Sequence, residues 1–220
     1  MSILIRNVDS PNFEQEIIPV DFLVVHYTAC TLEKTLEIFT DRARKVCAHF
    51  VINTDGALYD LGRFWSGPIR RGAHAGVSRY EMDGNIYEKF NDYSIGVELV
   101  NLNGNYLDFP KAQYVTLSKV IRHMADRFVL LNDPKRILGH EHIAGFRGKV
   151  DPGLRFDWKQ LYSLAYPDET APERKALLAD ADLRTFEASR APFDPKKMSP
   201  DEWMALSSEM EAFIGKRTKA

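Results

Sequence analysis

The sequence predicts an α/β fold in which strands and helices pack around one core. Residues 22–28, FLVVHYT, form a β-branched and aromatic run that is typical of a buried strand. The segment that follows this strand has apolar residues at helical spacing, namely Leu32, Leu36 and Phe39. The 220 residues are 45% hydrophobic and 27% charged, which is enough apolar material for a sizeable core.

The later elements continue this alternation. AHFVIN and ALYDLG are strand-like segments, and the Thr-Asp-Gly turn at residues 54–56 between them indicates a hairpin. SIGVELV, residues 94–100, is a further predicted strand, and residues 111–131 keep the apolar stripe of the main helix. RILGHEHI is predicted to return to strand, and DWKQLYSLA to form a short helix that closes the body near residue 166.

The chain is expected to comprise a body, residues 1–166, and a helical C-terminal extension, residues 167–220. Ser199 and Glu202 form a capping-box pattern ahead of apolar residues at helical spacing, so the extension is expected to contain two helices. Docking on the body is its simplest role, and a lid or a dimer contact is the alternative. Residues 63–93 are expected to form a long functional loop.

Composition and charge exclude several classes of partner. A net charge of -2 gives no electrostatic footprint for nucleic acid or an anionic membrane. The sequence contains no apolar run of about 18 residues and no signal-peptide pattern, so a cytoplasmic protein is expected. Cys30 and Cys47 match neither a disulfide framework nor a metal-binding pair and are expected to be free buried thiols.

Ionisable residues stand at the ends of three apolar strands: His26, Glu98 and His140. Together with Asp151, the two imidazoles complete a ligand set sufficient for a catalytic zinc ion, which needs three protein ligands and one open position. Such an ion makes water a stronger acid and polarises a carbonyl, so the pattern predicts hydrolysis. Glu98 is the acid available as general base, and Lys149 could face the carbonyl oxygen.

Six ordered motifs between about residue 20 and residue 162 resemble the zinc-dependent N-acetylmuramoyl-L-alanine amidases. These are the AmpD-like type 2 amidases, related to peptidoglycan recognition proteins. The motifs are FLVVHYTA, AHFVI, AHAGVS, NDYSIGVELVN, GHEHIA and KVDPG. The resemblance implies a central mixed β-sheet flanked by helices and cleavage of the amide between N-acetylmuramic acid and L-alanine.

By position, the resemblance implies one zinc ion per chain, held by His26, His140 and Asp151. Glu98 would be the general base, and Lys149 the group that stabilises the oxyanion.

The same resemblance suggests which residues contact the substrate. His74 and Asn91 lie where the family lines its groove, with hydrogen bonds that fold the loop as the alternative role. Asn53 and Lys89 stand where family members carry Arg, and a lysine makes a point-charge contact rather than a planar bidentate one. Tyr27 is expected to form groove wall or core.

Three other histidines have several interpretations. His142 stands where the family has Asp, and on the predicted strand it shares a face with His140. It could therefore support that ligand or compete with it. His49 is expected to orient the site or pack beneath it, and His123 to be a solvated or capping residue.

The favoured hypothesis is an amidase of cell-wall recycling that acts on 1,6-anhydro-muropeptides in the cytoplasm. One alternative is an amidase that attacks polymeric peptidoglycan. Another is a module that binds muropeptide without cutting it, although retention of Glu98 and Lys149 argues against that role.

Overall fold

The computed structural model describes residues 3–190 and 193–217. The strands are β1 (Ile5–Asn7), β2 (Phe22–Tyr27), β3 (Phe50–Ile52), β4 (Leu58–Asp60), β5 (Arg79–Met82), β6 (Asn85–Glu88), β7 (Ser94–Leu99) and β8 (Ile137–Gly139). The α-helices are α1 (Leu32–Thr40), α2 (Lys111–Arg127), α3 (His140–Ala144), α4 (Trp158–Ala165), α5 (Asp180–Ala188) and α6 (Pro200–Arg217).

Six strands form one mixed sheet in the order β1-β4-β3-β7-β2-β8, which confirms the predicted fold class. β2 pairs in parallel with both β7 and β8, and β3 pairs in parallel with β7. β3 and β4 are antiparallel and form the predicted hairpin, whose turn contains Gly56 at φ +84°. Because β2, β7 and β8 run in the same direction, their carboxyl ends meet at one edge of the sheet, which is where ligands bind in open α/β sheets.

The two faces of β2 bury different side chains. Leu23 and Val25 pack in the main core, together with Leu117 and Ile121 of α2. Phe22 and Val24 pack on the opposite face in a second apolar cluster that includes Phe90. All six residues of β2 are buried, as its unbroken apolar and aromatic run predicts for a central strand.

Two segments differ from the expectation. RILGHEHI is not one strand, because β8 ends at Gly139 and α3 begins at His140. The long loop contains a two-stranded hairpin, β5 and β6, whose turn residues Asp83 and Gly84 both have positive φ. An Asp-Gly turn of this kind suits the right-handed twist of the strands on either side.

The extension forms two helices, α5 and α6, as expected. The predicted capping box is present at the start of α6: the Ser199 N–H donates to the Glu202 carboxylate at 2.7 Å. α6 packs on the body through an apolar cluster of its own, centred on Val150, Leu206 and Met210. The extension is therefore docked, and its independence as a second domain remains a proposal.

Two further expectations concern single residues and membrane spans. Cys30 and Cys47 are free and buried, as the sequence predicts. Across residues 3–190 and 193–217, no helix has the length and apolar character that crossing a bilayer requires.

Candidate metal centre

Three predicted ligands meet at the carboxyl edge of the sheet. His26 lies near the end of β2, His140 is the first residue of α3, and Asp151 lies in the loop that follows. The Asp151 Oδ2 atom lies 2.9 Å from His26 Nδ1 and 3.1 Å from His140 Nδ1. One ligand atom from each residue lies within 4.8 Å of the other two, and all three residues are buried. The structure thus brings together residues that lie more than a hundred positions apart.

A backbone carbonyl orients the His140 ring. Its Nε2 lies 3.1 Å from the carbonyl oxygen of Ala75. Because a carbonyl only accepts, Nε2 carries a hydrogen, and Nδ1 is the ring nitrogen that faces Asp151. An imidazole fixed in this way by an outer partner is the usual arrangement of a histidine that binds metal.

The His26 ring is oriented through His74. His26 Nε2 lies 3.1 Å from His74 Nδ1, and His74 Nε2 lies 3.3 Å from the carbonyl oxygen of Ser94. The carbonyl requires a hydrogen on His74 Nε2, so His74 Nδ1 accepts from His26 and leaves His26 Nδ1 as the free lone pair. A Cβ at Gly96 would lie 2.5 Å from the His74 ring, so glycine there lets the ring lie against β7.

Asn91 fixes the loop that contains His74 and Ala75, the two residues that orient the imidazole rings. Its Oδ1 accepts from the backbone N–H groups of His74, at 3.1 Å, and Ala75, at 2.8 Å. Asn91 is buried, and it has the loop-folding role that the sequence left open. His74 likewise has a supporting role, because it orients the ring of the predicted ligand His26. This contact exists only in the folded chain and has no sequence signal. Contact of either residue with substrate remains a proposal.

The charge states of the cluster suit a cation. Burial, followed by the nearby His140, lowers the pKa of His26 to about 4, so this imidazole is neutral at pH 7. Burial alone would raise the pKa of Asp151, but His140 and His26 hold it well below its usual range. Metal binding requires neutral imidazoles and an ionised carboxylate. The two imidazole nitrogens and the carboxylate oxygen therefore form a donor set that fits a divalent ion.

Glu98 stands beside this cluster, and its surroundings shift its pKa towards neutrality. It pairs in register with His26 across β2 and β7, so both side chains project from the same face of the sheet. Its Oε2 atom is buried and makes no hydrogen bond within the described residues. Burial, and then repulsion from Asp151, raises the pKa of Glu98 to about 8. A carboxyl group with this pKa exchanges protons near neutral pH.

Lys149 is held by a residue that sequence reasoning missed. Its Nζ lies 2.8 Å and 2.7 Å from the two carboxylate oxygens of Glu211 on α6. Both side chains are partly buried, with 28% and 30% of their surface exposed. Lys149 also lies close enough to Glu98 for its charge to oppose the rise in the Glu98 pKa.

The remaining predicted substrate residues lie in different places. Asn53 lines a cavity of about 420 Å³ that Cys30 also lines, and Lys89 lines one of about 650 Å³ that includes Asn91. The two residues therefore do not share one cavity. Tyr27 is buried, and its hydroxyl interacts with Ser207, which favours the core alternative.

His142 is not a rival ligand. Because α3 begins at His140, residues two apart no longer share a face, and the His142 ring turns away from the cluster. Its Nδ1 accepts from the Gly139 N–H at 2.8 Å, which caps the helix, and its Nε2 lies 3.3 Å from the Lys175 carbonyl oxygen. The interpretation based on a shared strand face was wrong.

His49 and His123 both have structural roles. His49 is buried beneath His74, with Nε2 2.9 Å from the Arg70 carbonyl oxygen. Its Nδ1 accepts from the Gly96 N–H at 3.0 Å. His123 is partly exposed and does not cap α2, because its ring stacks on Trp65 at 3.8 Å between centroids and its Nε2 lies 2.6 Å from the Trp65 carbonyl oxygen.

Comparison with known proteins identifies the family to which the chain belongs. The profile of the N-acetylmuramoyl-L-alanine amidase family matches residues 17–154, which include every proposed ligand. The chain is similar to the 1,6-anhydro-N-acetylmuramyl-L-alanine amidase AmpD of Escherichia coli K12, with 36% identity over 126 residues. That match covers 57% of this chain and 62% of the relative, so it spans about three fifths of the E. coli protein.

The AmpD protein of Haemophilus influenzae is 30% identical over 178 residues, covering 72% of this chain and 90% of that relative. A solved structure of a selenomethionine AmpD derivative is also similar, with 29% identity and a TM-score of 0.60. It covers 74% of this chain and 96% of the solved chain. Sequence and fold therefore agree over most of the body.

Proposed function

Because this chain belongs to the N-acetylmuramoyl-L-alanine amidase family, we propose that it hydrolyses the amide between N-acetylmuramic acid and L-alanine in muropeptides. The AmpD relatives are named for the 1,6-anhydro form of this substrate, and we assign the same form here. The observation that carries the proposal is the convergence of His26 Nδ1, His140 Nδ1 and an Asp151 oxygen in one buried cluster.

We assign zinc to this cluster, held by the two imidazoles and the carboxylate. Bound there, zinc would act as a Lewis acid that lowers the pKa of water from about 15.7 to about 7 and polarises the amide carbonyl. The chain itself supplies the orientation: the Ala75 carbonyl and His74 hold both Nδ1 lone pairs towards the site. The donor chemistry fits zinc, which accepts nitrogen and oxygen ligands in this combination.

Proton transfer is assigned to Glu98. Its Oε2 makes no hydrogen bond within the described residues and is therefore available to take a proton from water. The same group can then deliver that proton to the departing amino nitrogen of L-alanine, as a general base that becomes a general acid. Lys149, which keeps N–H groups that do not point at Glu211, supplies a positive charge for the developing oxyanion.

The names of the AmpD relatives support a soluble fragment as substrate. An enzyme of cell-wall recycling that acts on such fragments fits the cytoplasm, which we propose as its location.

We expect the purified, zinc-loaded chain to cleave a soluble 1,6-anhydro-muropeptide faster than intact sacculi, by on the order of tenfold or more per accessible bond. The reason is that the AmpD relatives are named for the 1,6-anhydro form of the substrate. The measurement is the appearance of free stem peptide with an L-alanine amino terminus, followed by mass spectrometry.

Protein stripped of metal by a chelator serves as the blank for both substrates. Equal or faster release from sacculi would assign the chain to polymeric peptidoglycan instead. Binding of the fragment without release of peptide would indicate a recognition module.

A further inference from the structure

The C-terminal helix α6 contacts the segment that carries Lys149. Gly148, with φ +89°, lies so close to α6 that a Cβ there would stand 2.1 Å from the carbonyl oxygen of Glu211. On the other side of Lys149, Val150 packs against Leu206 and Met210. Backbone and side-chain contacts thus fix α6 against the residues before and after Lys149.

A second contact connects α6 to the neighbouring loop. The Asn103 side-chain amide donates to Ser207 Oγ at 3.0 Å, and both residues are buried. Ser207 also interacts with the hydroxyl of Tyr27, the residue that follows His26 in β2. The helix is therefore seated on the same edge of the sheet as the ligand cluster, with Glu211 one turn beyond Ser207.

From these contacts, and resting on the proposed amidase function, we propose that Glu211 is a positioning residue for Lys149 and that α6 belongs to the active site. Both Glu211 oxygens contact the ammonium group, so the carboxylate fixes its rotation and with it the directions of the N–H groups that do not point at Glu211. A fixed donor stabilises an oxyanion better than one that must reorganise during the reaction.

The role of Glu211 follows from the other carboxylates that could attract the Lys149 ammonium group. Glu98 and Asp151 are the acids of the reaction and of the ligand cluster, and the Lys149 charge already influences the pKa of Glu98. Without Glu211, the flexible lysine side chain would be drawn to these carboxylates. There it would neutralise the base or compete for a ligand oxygen. Glu211 therefore keeps the ammonium close to the reacting centre while leaving Glu98 free.

The test is the Glu211→Gln variant, which keeps the shape of the side chain and removes its charge. We expect kcat for the muropeptide to fall about tenfold to a hundredfold with KM nearly unchanged, as for an interaction made in the transition state. Glu211→Asp, which retains the carboxylate, should recover part of the loss. Glu209→Gln is the matched control, because it removes the ion pair between α6 and Arg190 at a distance from Lys149.

A double-mutant cycle separates positioning from stability. If Glu211 acts through Lys149, adding Glu211→Gln to Lys149→Met changes kcat little further. A further loss as large as that in the wild-type background would show a merely structural role and overturn the inference.

A measurement on metal-free protein gives an independent readout. Acetylation of Lys149 by an amine-reactive ester, quantified by peptide mass spectrometry, should be several-fold faster in Glu211→Gln than in wild type. Equal labelling would contradict the ion pair.

The outcomes for the two proposals differ. Wild-type protein that turns over muropeptide, together with a Glu211→Gln variant of unchanged kcat, overturns the positioning role and leaves the amidase intact. Wild-type protein without turnover overturns both.

Discussion

Replacing Asp151 with alanine is expected to abolish zinc binding and amide hydrolysis together. Asp151 provides the carboxylate oxygen that both imidazoles face, at 2.9 and 3.1 Å. Its loss leaves two neutral nitrogen donors, one fewer than the three protein ligands of catalytic zinc sites. Zinc content should fall from about one ion per chain to background. Atomic emission and a muropeptide assay on the same preparation measure the two effects.

The control is Asp126→Ala, an acid exposed on α2, which should keep both zinc and turnover. Circular dichroism of both variants verifies that the sheet has formed. An Asp151→Ala protein that retains zinc at wild-type stoichiometry would show that the ligand assignment is wrong.

The Glu98→Gln variant is expected to bind zinc normally and to lose at least about a hundredfold in kcat, the usual contribution of a general base. Glu98 lies outside the three-residue ligand cluster, so metal content should not change. An amide of the same shape cannot take a proton from water. Steady-state kinetics on the muropeptide and zinc analysis of the same sample distinguish the two roles.

Glu141→Gln is a closely matched control. Glu141 is also buried, also has an oxygen without a hydrogen bond in the described residues, and also has its pKa raised by burial to about 8. Its other oxygen accepts from the Leu177 N–H at 2.7 Å, which anchors a segment of the extension, and Glu141 is not one of the three clustered ligands. Equal losses in the two variants would mean that burial of an acid, rather than base catalysis, accounts for the effect.

Much of the fold follows from local sequence. The apolar run of β2 and the stripe of α2 are long enough for periodicity to identify them. The β5–β6 hairpin was missed, although the Asp83-Gly84 pair between two short strand-like segments is itself a turn signal. The boundary between β8 and α3 could not be predicted, because β8 is only three residues long and the start of α3 depends on a cap supplied by His142.

The clustering of His26, His140 and Asp151 could be predicted because these residue types are chemically specific and carry the family resemblance. The groups that orient these three side chains could not be predicted from the sequence. The orienting group of Ala75 is its backbone carbonyl, which every residue has and which therefore gives no sequence signal. Asn91 acts on backbone N–H groups that lie beside it only once the loop has folded. Glu211 lies 62 positions beyond Lys149 in a helix whose pattern indicates docking alone.

The difference between His142 and His140 shows the same limit. Two residues apart on a strand they would share a face, whereas on a helix their directions diverge by about 200°. One wrong assignment of secondary structure therefore made a helix cap look like a candidate ligand.

The most direct test of the account is diffraction from zinc-loaded crystals at the zinc absorption edge. We predict a single strong anomalous peak per chain in the body, about 2.0–2.1 Å from Nδ1 of His26 and of His140 and about 2.0–2.2 Å from an Asp151 oxygen. A peak elsewhere in the chain, or none between these three side chains, would contradict the assignment on which the proposed chemistry rests.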